Sequence, residues 1–240
     1  MGISLWDNVF NGTLRAFYQD RVRMTTAAYV QDVWATYDFP IYIIFAVWNF
    51  PLWLLEHFAH MDVMNNAVCL MWIKTMLLPF LYLFMTILFR VCRQAKMSVR
   101  QSMLVCVLMM SSEFVVSSVF IISQYDIIGM CFVLLGINAY LENDMKKFCF
   151  WFAVATPLKL FAILIFVPLL VLKEKRLGRI IGYLAVVAAV LEIIRIIIPT
   201  KSNNLDENGQ MMIQFPFEYT AHLGLNEVYL FVMLMGIIVL

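Results

Sequence analysis

The chain has 240 residues, 63% of them apolar and 14% charged, with a formal net charge of +1 and a mean hydropathy of +0.85. Soluble domains carry roughly 45–50% apolar and about 25% charged residues, and the apolar residues here fall in blocks that lack the polar face of a soluble helix. These figures exclude a cytosolic enzyme, a disordered tail and a small disulfide-stapled secreted domain, and the near-zero charge offers no basic field to nucleic acid.

The expected fold class is therefore all-α, a polytopic membrane protein. Residues 1–38 mix Trp6, Phe10, Phe17, Tyr18, Tyr29 and Trp34 with polar groups, which predicts short helices lying at a membrane surface. The first apolar run, 39–58, is interrupted by Pro51, and the second, 67–89, contains Lys74 and Pro79. The third, 101–123, has 23 residues, about 34 Å as helix and enough to cross a bilayer. The fourth, 127–141, is short for a full crossing. The fifth, 148–172, is broken at Pro157-Leu158-Lys159, and the sixth covers 180–198. A polar external loop at 199–227 follows, then an apolar stretch at 228–240 that reads as the start of a span. The sequence thus divides into a surface segment (1–38), a helical module (39–198), a loop and a partial span. The expectation is a chain incomplete at both ends.

Orientation comes from the basic loops. Residues 90–100 carry Arg90, Arg93, Lys96 and Arg100 without an acid. The 142–147 loop adds Lys146 and Lys147, and 173–179 adds Lys173, Lys175, Arg176 and Arg179, so cytosolic placement of all three collects 10 of the 17 basic residues. Ser123-Gln124-Tyr125-Asp126 then faces outward. The fifth run must start and end on one side, which makes it a hairpin of arms 148–158 and 160–172 tipped by Lys159. Arms of that length reach only roughly 16–20 Å, and broken backbone at that depth is tolerated where it is buried or lines a water-filled cavity. The sequence predicts short or re-entrant helices around an externally open cavity.

Ionisable residues among apolar runs are costly and mark functional positions. Asp126 and Lys159 stand 33 positions apart, so a short helix down and the first hairpin arm back return Lys159 to the depth of Asp126. The alternative role for this acid and base is a structural ion pair or a snorkelling lysine.

A Gln-x-Asp motif (Gln124-Tyr125-Asp126), a short span, a basic turn and Lys159-Leu160-Phe161 with Pro168 behind it resemble the GT-C class of integral-membrane glycosyltransferases, which use polyprenyl-phosphate-linked sugars and include the glycolipid mannosyltransferases. Upstream, Tyr37-Asp38-Phe39-Pro40-Ile41-Tyr42 is similar to the class's Tyr-x-x-Pro entry, and Asp7-Asn8 to Phe17-Tyr18 looks like the tail of its first external loop. The resemblance implies donor binding by Gln124, Asp126 and Lys159. Lysine suits a phosphate as a point charge, and a carboxylate would take the acceptor proton as general base. In the class that acid follows a first transmembrane helix. Here no spanning run precedes residue 38, so the family's carboxylate is not matched. Among Asp7, Asp20, Asp32 and Asp38, Asp7 is the first candidate and Asp38 the second. The resemblance implies no certain cofactor, only a polyprenyl-phosphate sugar as donor, and nothing in the sequence identifies a metal.

Other residues read more simply. Glu192 and Arg195 fall on one helix face and suit an ion pair. Glu113 sits among serines that suit helix packing or a cavity wall. Glu56, His57 and His60 lack the H-E-x-x-H zinc spacing, and Asn11-Gly12-Thr13 satisfies a glycosylation sequon. The five cysteines are scattered, four in or beside apolar runs where Cys acts as a small hydrophobe. The leading expectation is a membrane enzyme that moves a sugar from a polyprenyl-phosphate donor to a lipid-linked or cell-surface acceptor on the external face. Its partners would be the bilayer, the donor and a glycan or lipid acceptor, with no nucleic acid. Its membrane would be the plasma membrane in a bacterium or the endoplasmic reticulum in a eukaryote. The alternatives are a transporter or flippase of a lipid or polyprenyl-linked substrate and a non-catalytic assembly subunit.

Overall fold

The structure, a computed structural model, describes residues 2–14, 17, 21–25, 30–34, 38–121 and 124–198. The expected loop at 199–227 and span at 228–240 lie outside the described residues, as do Tyr18, Asp20, Tyr29, Tyr37 and Ser123.

Helix α1 (Gly2–Phe10) packs against α2 (Phe39–Phe58). Gly2 marks the closest approach, since a Cβ there would lie 2.4 Å from the Phe45 carbonyl oxygen. Trp6 Nε1 donates to Ala46 O at 2.8 Å, and Trp53 Nε1 donates to Asp7 Oδ1 at 2.8 Å. These two bonds straddle Pro51, where the sequence predicts an interruption. Instead α2 runs straight through it. Proline deletes one helical hydrogen bond, and anchoring on both sides by α1 holds the register across the gap.

Between these helices, Arg21–Thr25 (β1) and Val30–Trp34 (β2) form an antiparallel ribbon with Arg21 opposite Trp34 and Thr25 opposite Val30. This ribbon replaces the short helices expected here. Val22, Thr25, Val30 and Val33 are β-branched and stiff at χ1, which favours strands when no long amphipathic stripe competes.

Helices α3 (Ala67–Thr75) and α4 (Leu77–Gln94) are nearly one rod, broken at Met76. Pro79 accounts for the break, because its ring cannot donate to Thr75 O and crowds that carbonyl. The side chain of Asn66 opens α3 by accepting from the amides of Val68 and Cys69. Trp48 and Trp72 tie α3 to α2, each indole donating to the other's carbonyl at 3.0 and 3.2 Å.

Helix α5 (Val99–Met110) starts at a capping box in which Ser98 and Gln101 satisfy each other's amides. It then stops well short of the 23-residue crossing expected for 101–123. Ser111 Oγ donates to Val107 O and Ser112 Oγ to Met109 O, at 2.8 and 2.7 Å, so hydroxyls bond the carbonyls that close α5. Ser112 then turns extended and caps a second piece, α6 (Glu113–Val115), which continues as a wider π-type turn through Ile121. Serine competes for backbone partners in this way wherever two fall together.

Helices α7 (Asp126–Leu141) and α8 (Met145–Leu158) form a tight antiparallel hairpin. Asn143 closes α7 at φ 63°, the left-handed conformation that asparagine tolerates. Gly136 and Gly129 line the crossing: a Cβ at Gly136 would meet Phe152, and one at Gly129 would meet the stem of Lys159. The chain then reverses at 159–161 into α9 (Ala162–Lys173). Phe166 stacks on Phe148 of α8 with centroids 5.0 Å apart, and Lys173 donates to Tyr140 O, tying the end of α9 to the end of α7. The hairpin expected around Lys159 is thus the arrangement seen, with arms at 145–158 and 162–173. Helix α10 (Leu177–Ile197) completes the order.

Among the described residues, three helices are long and apolar enough to cross a membrane: Phe39–Phe58, Ala67–Gln94 taken through its break, and Leu177–Ile197. Apolar side chains gain nothing by leaving lipid for protein, so the fit between helices decides how they associate.

Candidate functional site

The short turn between α7 and α8 marks the end at which the basic loops meet. Gln94 Nε2, at the end of α4, donates to Glu142 Oε1 at 3.0 Å, and Lys173, at the end of α9, reaches Tyr140. The ends of α4, α7 and α9 and the starts of α5, α8 and α10 therefore gather at one end of the bundle. All ten cations of the three basic loops are at that end. Loop charge alone sorts them to one side, and the helix packing sorts them the same way.

At the opposite end, Asp126 opens α7 and Lys159 follows the last residue of α8. Each charge suits its own helix terminus, an acid at the positive N-terminus and a base at the negative C-terminus. The hairpin register then brings them together, because 126 and 159 are symmetric about the turn at 142–144. Lys159 Nζ lies 2.6 Å from Asp126 Oδ1 and 4.9 Å from the centroid of the Tyr125 ring. The two side chains keep 25% and 33% of their exposure, so the pair is reachable rather than sealed. Gly129, one turn into α7, leaves the space that the Lys159 stem fills, with Lys159 Cγ 3.2 Å from where a Cβ would stand. Gln124 is exposed beside Tyr125.

The two carboxylates named as general-base candidates fall elsewhere. The Phe45 ring touches the Tyr125 ring at 5.5 Å, linking α2 to the ion pair. Asp7 lies against Trp53, eight residues or roughly 12 Å of helix beyond Phe45. Asp38 lies seven residues before it, and both its oxygens accept from Arg195, Oδ1 from Nε at 3.0 Å and Oδ2 from Nη2 at 3.1 Å. The helical spacing pairs Arg195 with Glu192. That contact exists at 3.7 Å, but the closer and bidentate partner is Asp38. No periodicity relates residues 157 positions apart, so this clasp has no signal in the sequence. Asp32 lies on β2 opposite Arg23.

The remaining candidates are dispersed. Glu113 is exposed at the start of α6. His57 stacks on Trp53 at 4.7 Å, and His60 takes a positive φ of 51° in the turn after α2. Among the described residues no three of His, Cys, Asp and Glu gather as a metal site would require. Thr13 donates to Asn8, which folds the sequon into the turn that ends α1.

The chain was compared with protein-family models, with curated proteins and with solved structures. It matches none of them. A carboxylate, an ammonium and a phenol ring meet where α7 begins and α8 ends, with the exposed Gln124 two positions before Asp126. Such a set can hold an anionic, hydroxyl-rich ligand, with the ammonium facing the anion and Gln124 and Asp126 facing the hydroxyls.

Proposed function

We propose that the protein is a membrane glycosyltransferase of GT-C type, moving a sugar from a polyprenyl-phosphate donor to a lipid-linked or cell-surface acceptor on the external face. The observation that supports this reading is the Asp126–Lys159 contact of 2.6 Å at the end of the bundle opposite the ten cations. If the basic loops face the cytosol, as their charge directs, this pair faces outward. Helix α8 rises about 21 Å and α10 about 32 Å from the basic end, so the pair lies deeper than the end of α10. A donor with a long isoprenoid tail would enter from the lipid and place its phosphate at Lys159, displacing the Asp126 carboxylate from it. Asp126 and Gln124 would then receive the sugar hydroxyls. Asp7 remains the first candidate for the general base and Asp38 the second, although Arg195 engages both oxygens of Asp38.

The test is sugar transfer from a polyprenyl-phosphate donor by membranes containing the chain, with Asp126→Asn and Lys159→Ala as variants. Removing the phosphate partner should lower kcat/KM by about 100-fold, the scale of a lost charged hydrogen bond of roughly 3 kcal/mol. Transfer at the wild-type rate in both variants would remove these residues from the mechanism.

A further inference from the structure

The end of the bundle that carries the ten cations has a charge excess that no acid among the described residues balances. Residues 90–100, 142–147 and 173–179 hold ten cations against Glu142, Asp144 and Glu174, a net of +7. The three acids are already engaged. Glu142 accepts from Gln94 and Asn138, Asp144 pairs with Lys147, and Glu174 pairs with Arg179. Arg90, Lys96, Arg100, Lys146 and Arg176 are exposed and make no ion pair among the described residues.

Helix electrostatics makes the excess harder to explain as a stabilising feature. Arg100, Lys146 and Arg176 stand at the starts of α5, α8 and α10 without a paired acid, whereas Lys147 and Arg179 pair with Asp144 and Glu174. A helix N-terminus is the positive end of the dipole, and a cation there is destabilising. A sequence selected only for helix stability would place these cations at the C-termini. Their position suits an anion outside the protein instead.

We infer that this end is a binding surface for anionic phospholipid headgroups of the adjoining leaflet. The geometry favours lipid as the source of the anion. The cations adjoin helices with exposed apolar faces, Val99, Met103 and Leu104 on α5 and Leu177 and Ile181 on α10. A lipid can lay its chains along those faces and its phosphate against the first turns, whereas a free anion has no use for them. Clusters of four to eight Lys or Arg beside a membrane helix bind anionic lipid with about a five-fold gain per cation. The surface is independent of the sugar-transfer reading, since it uses none of the residues at Asp126 and Lys159.

The test uses the full chain in mild detergent, equilibrated with equal amounts of phosphatidylglycerol and phosphatidylcholine, with retained lipids counted by native mass spectrometry. Wild type should retain phosphatidylglycerol at least ten-fold over phosphatidylcholine. Arg100→Gln/Lys146→Gln/Arg176→Gln should bring the ratio to near unity, whereas Arg100→Lys/Lys146→Arg/Arg176→Lys should leave it high. Lys74→Gln, on exposed α3 at the other end, should also leave it high. Where the triple variant fails to fold, Lys146→Gln alone should lower the ratio about five-fold. No preference in wild type, an undiminished preference in the neutral variants, or displacement of phosphatidylglycerol by millimolar inorganic phosphate would each overturn the proposal.

Discussion

Replacing Gly136 by alanine tests whether fit, rather than apolar transfer, holds α7 to α8. A Cβ at 136 would stand 2.5 Å from Phe152 Cε2, 2.6 Å from Cδ2 and 3.4 Å from Cζ. Carbon–carbon contact is comfortable from about 3.5 Å, so the ring would have to retreat by about 1 Å. It has nowhere to go. Phe152 is fully buried, with Phe148 4.9 Å away and Phe166 5.2 Å away, centroid to centroid. Overpacking of this kind costs about 1–3 kcal/mol, and alanine recovers about 1 kcal/mol over glycine in helix propensity. With the ring closed in on both sides, the clash stands in the upper part of that range, about 2–3 kcal/mol, and after the gain in propensity the expected net loss is about 1–2 kcal/mol. Phe152→Leu alone loses ring contacts, but in Gly136→Ala/Phe152→Leu the new methyl fills part of the vacated space. The double variant should therefore be more stable than the sum of the singles by about 1 kcal/mol. The assay is unfolding of the full chain by SDS in mixed micelles, followed by circular dichroism. Equal or greater stability of Gly136→Ala, or strict additivity of the pair, would refute the packing argument.

Two further outcomes follow from the charged groups. The Asp38–Arg195 clasp is bidentate, with the side chains 18% and 39% exposed. A double-mutant cycle of Asp38→Asn and Arg195→Gln should give a coupling of about 1 kcal/mol, and a value of zero would reduce the contact to coincidence. At the basic end, the Lys147 amide and then its ammonium hold the Asp144 carboxyl below its ordinary 3.8, and the Arg176 amide holds Glu174 below its ordinary 4.5. Depressed carboxyls stabilise fully above their unfolded values, and that contribution is lost as pH falls through the lower folded ones. The protection of the first amides of α8 against hydrogen exchange, measured relative to the intrinsic rate, should thus fall below about pH 4. Asp144→Asn should abolish that step, and an unchanged step would assign it to another group.

Much of the helical module is legible without coordinates. The arms on either side of Lys159, the gathering of three basic loops and the meeting of Asp126 with Lys159 all follow from spacing and charge, because an antiparallel hairpin relates residues symmetrically about its turn. The departures share a cause. Pro51 reads as a break, but α1 grips α2 on both sides of it. The run at 101–123 reads as one span, but Ser111 and Ser112 take the carbonyls that close α5. Gly129 and Gly136, seven positions apart on α7, are a signal for close packing that hydropathy alone does not register.

The sequence by itself determined that this chain suits a bilayer, where its basic loops lie and which charges stand among apolar runs. Those properties are local, set by side-chain transfer energies and by about 1.5 Å of rise per residue. Only the tertiary structure decided which partner each charge takes. Lys159 finds Asp126 because a glycine-lined crossing sets the hairpin register, and Arg195 turns to Asp38 rather than settling for Glu192. Partner choice depends on which helix faces meet, and in a lipid-like setting that depends on shape, which no run of hydropathy values encodes.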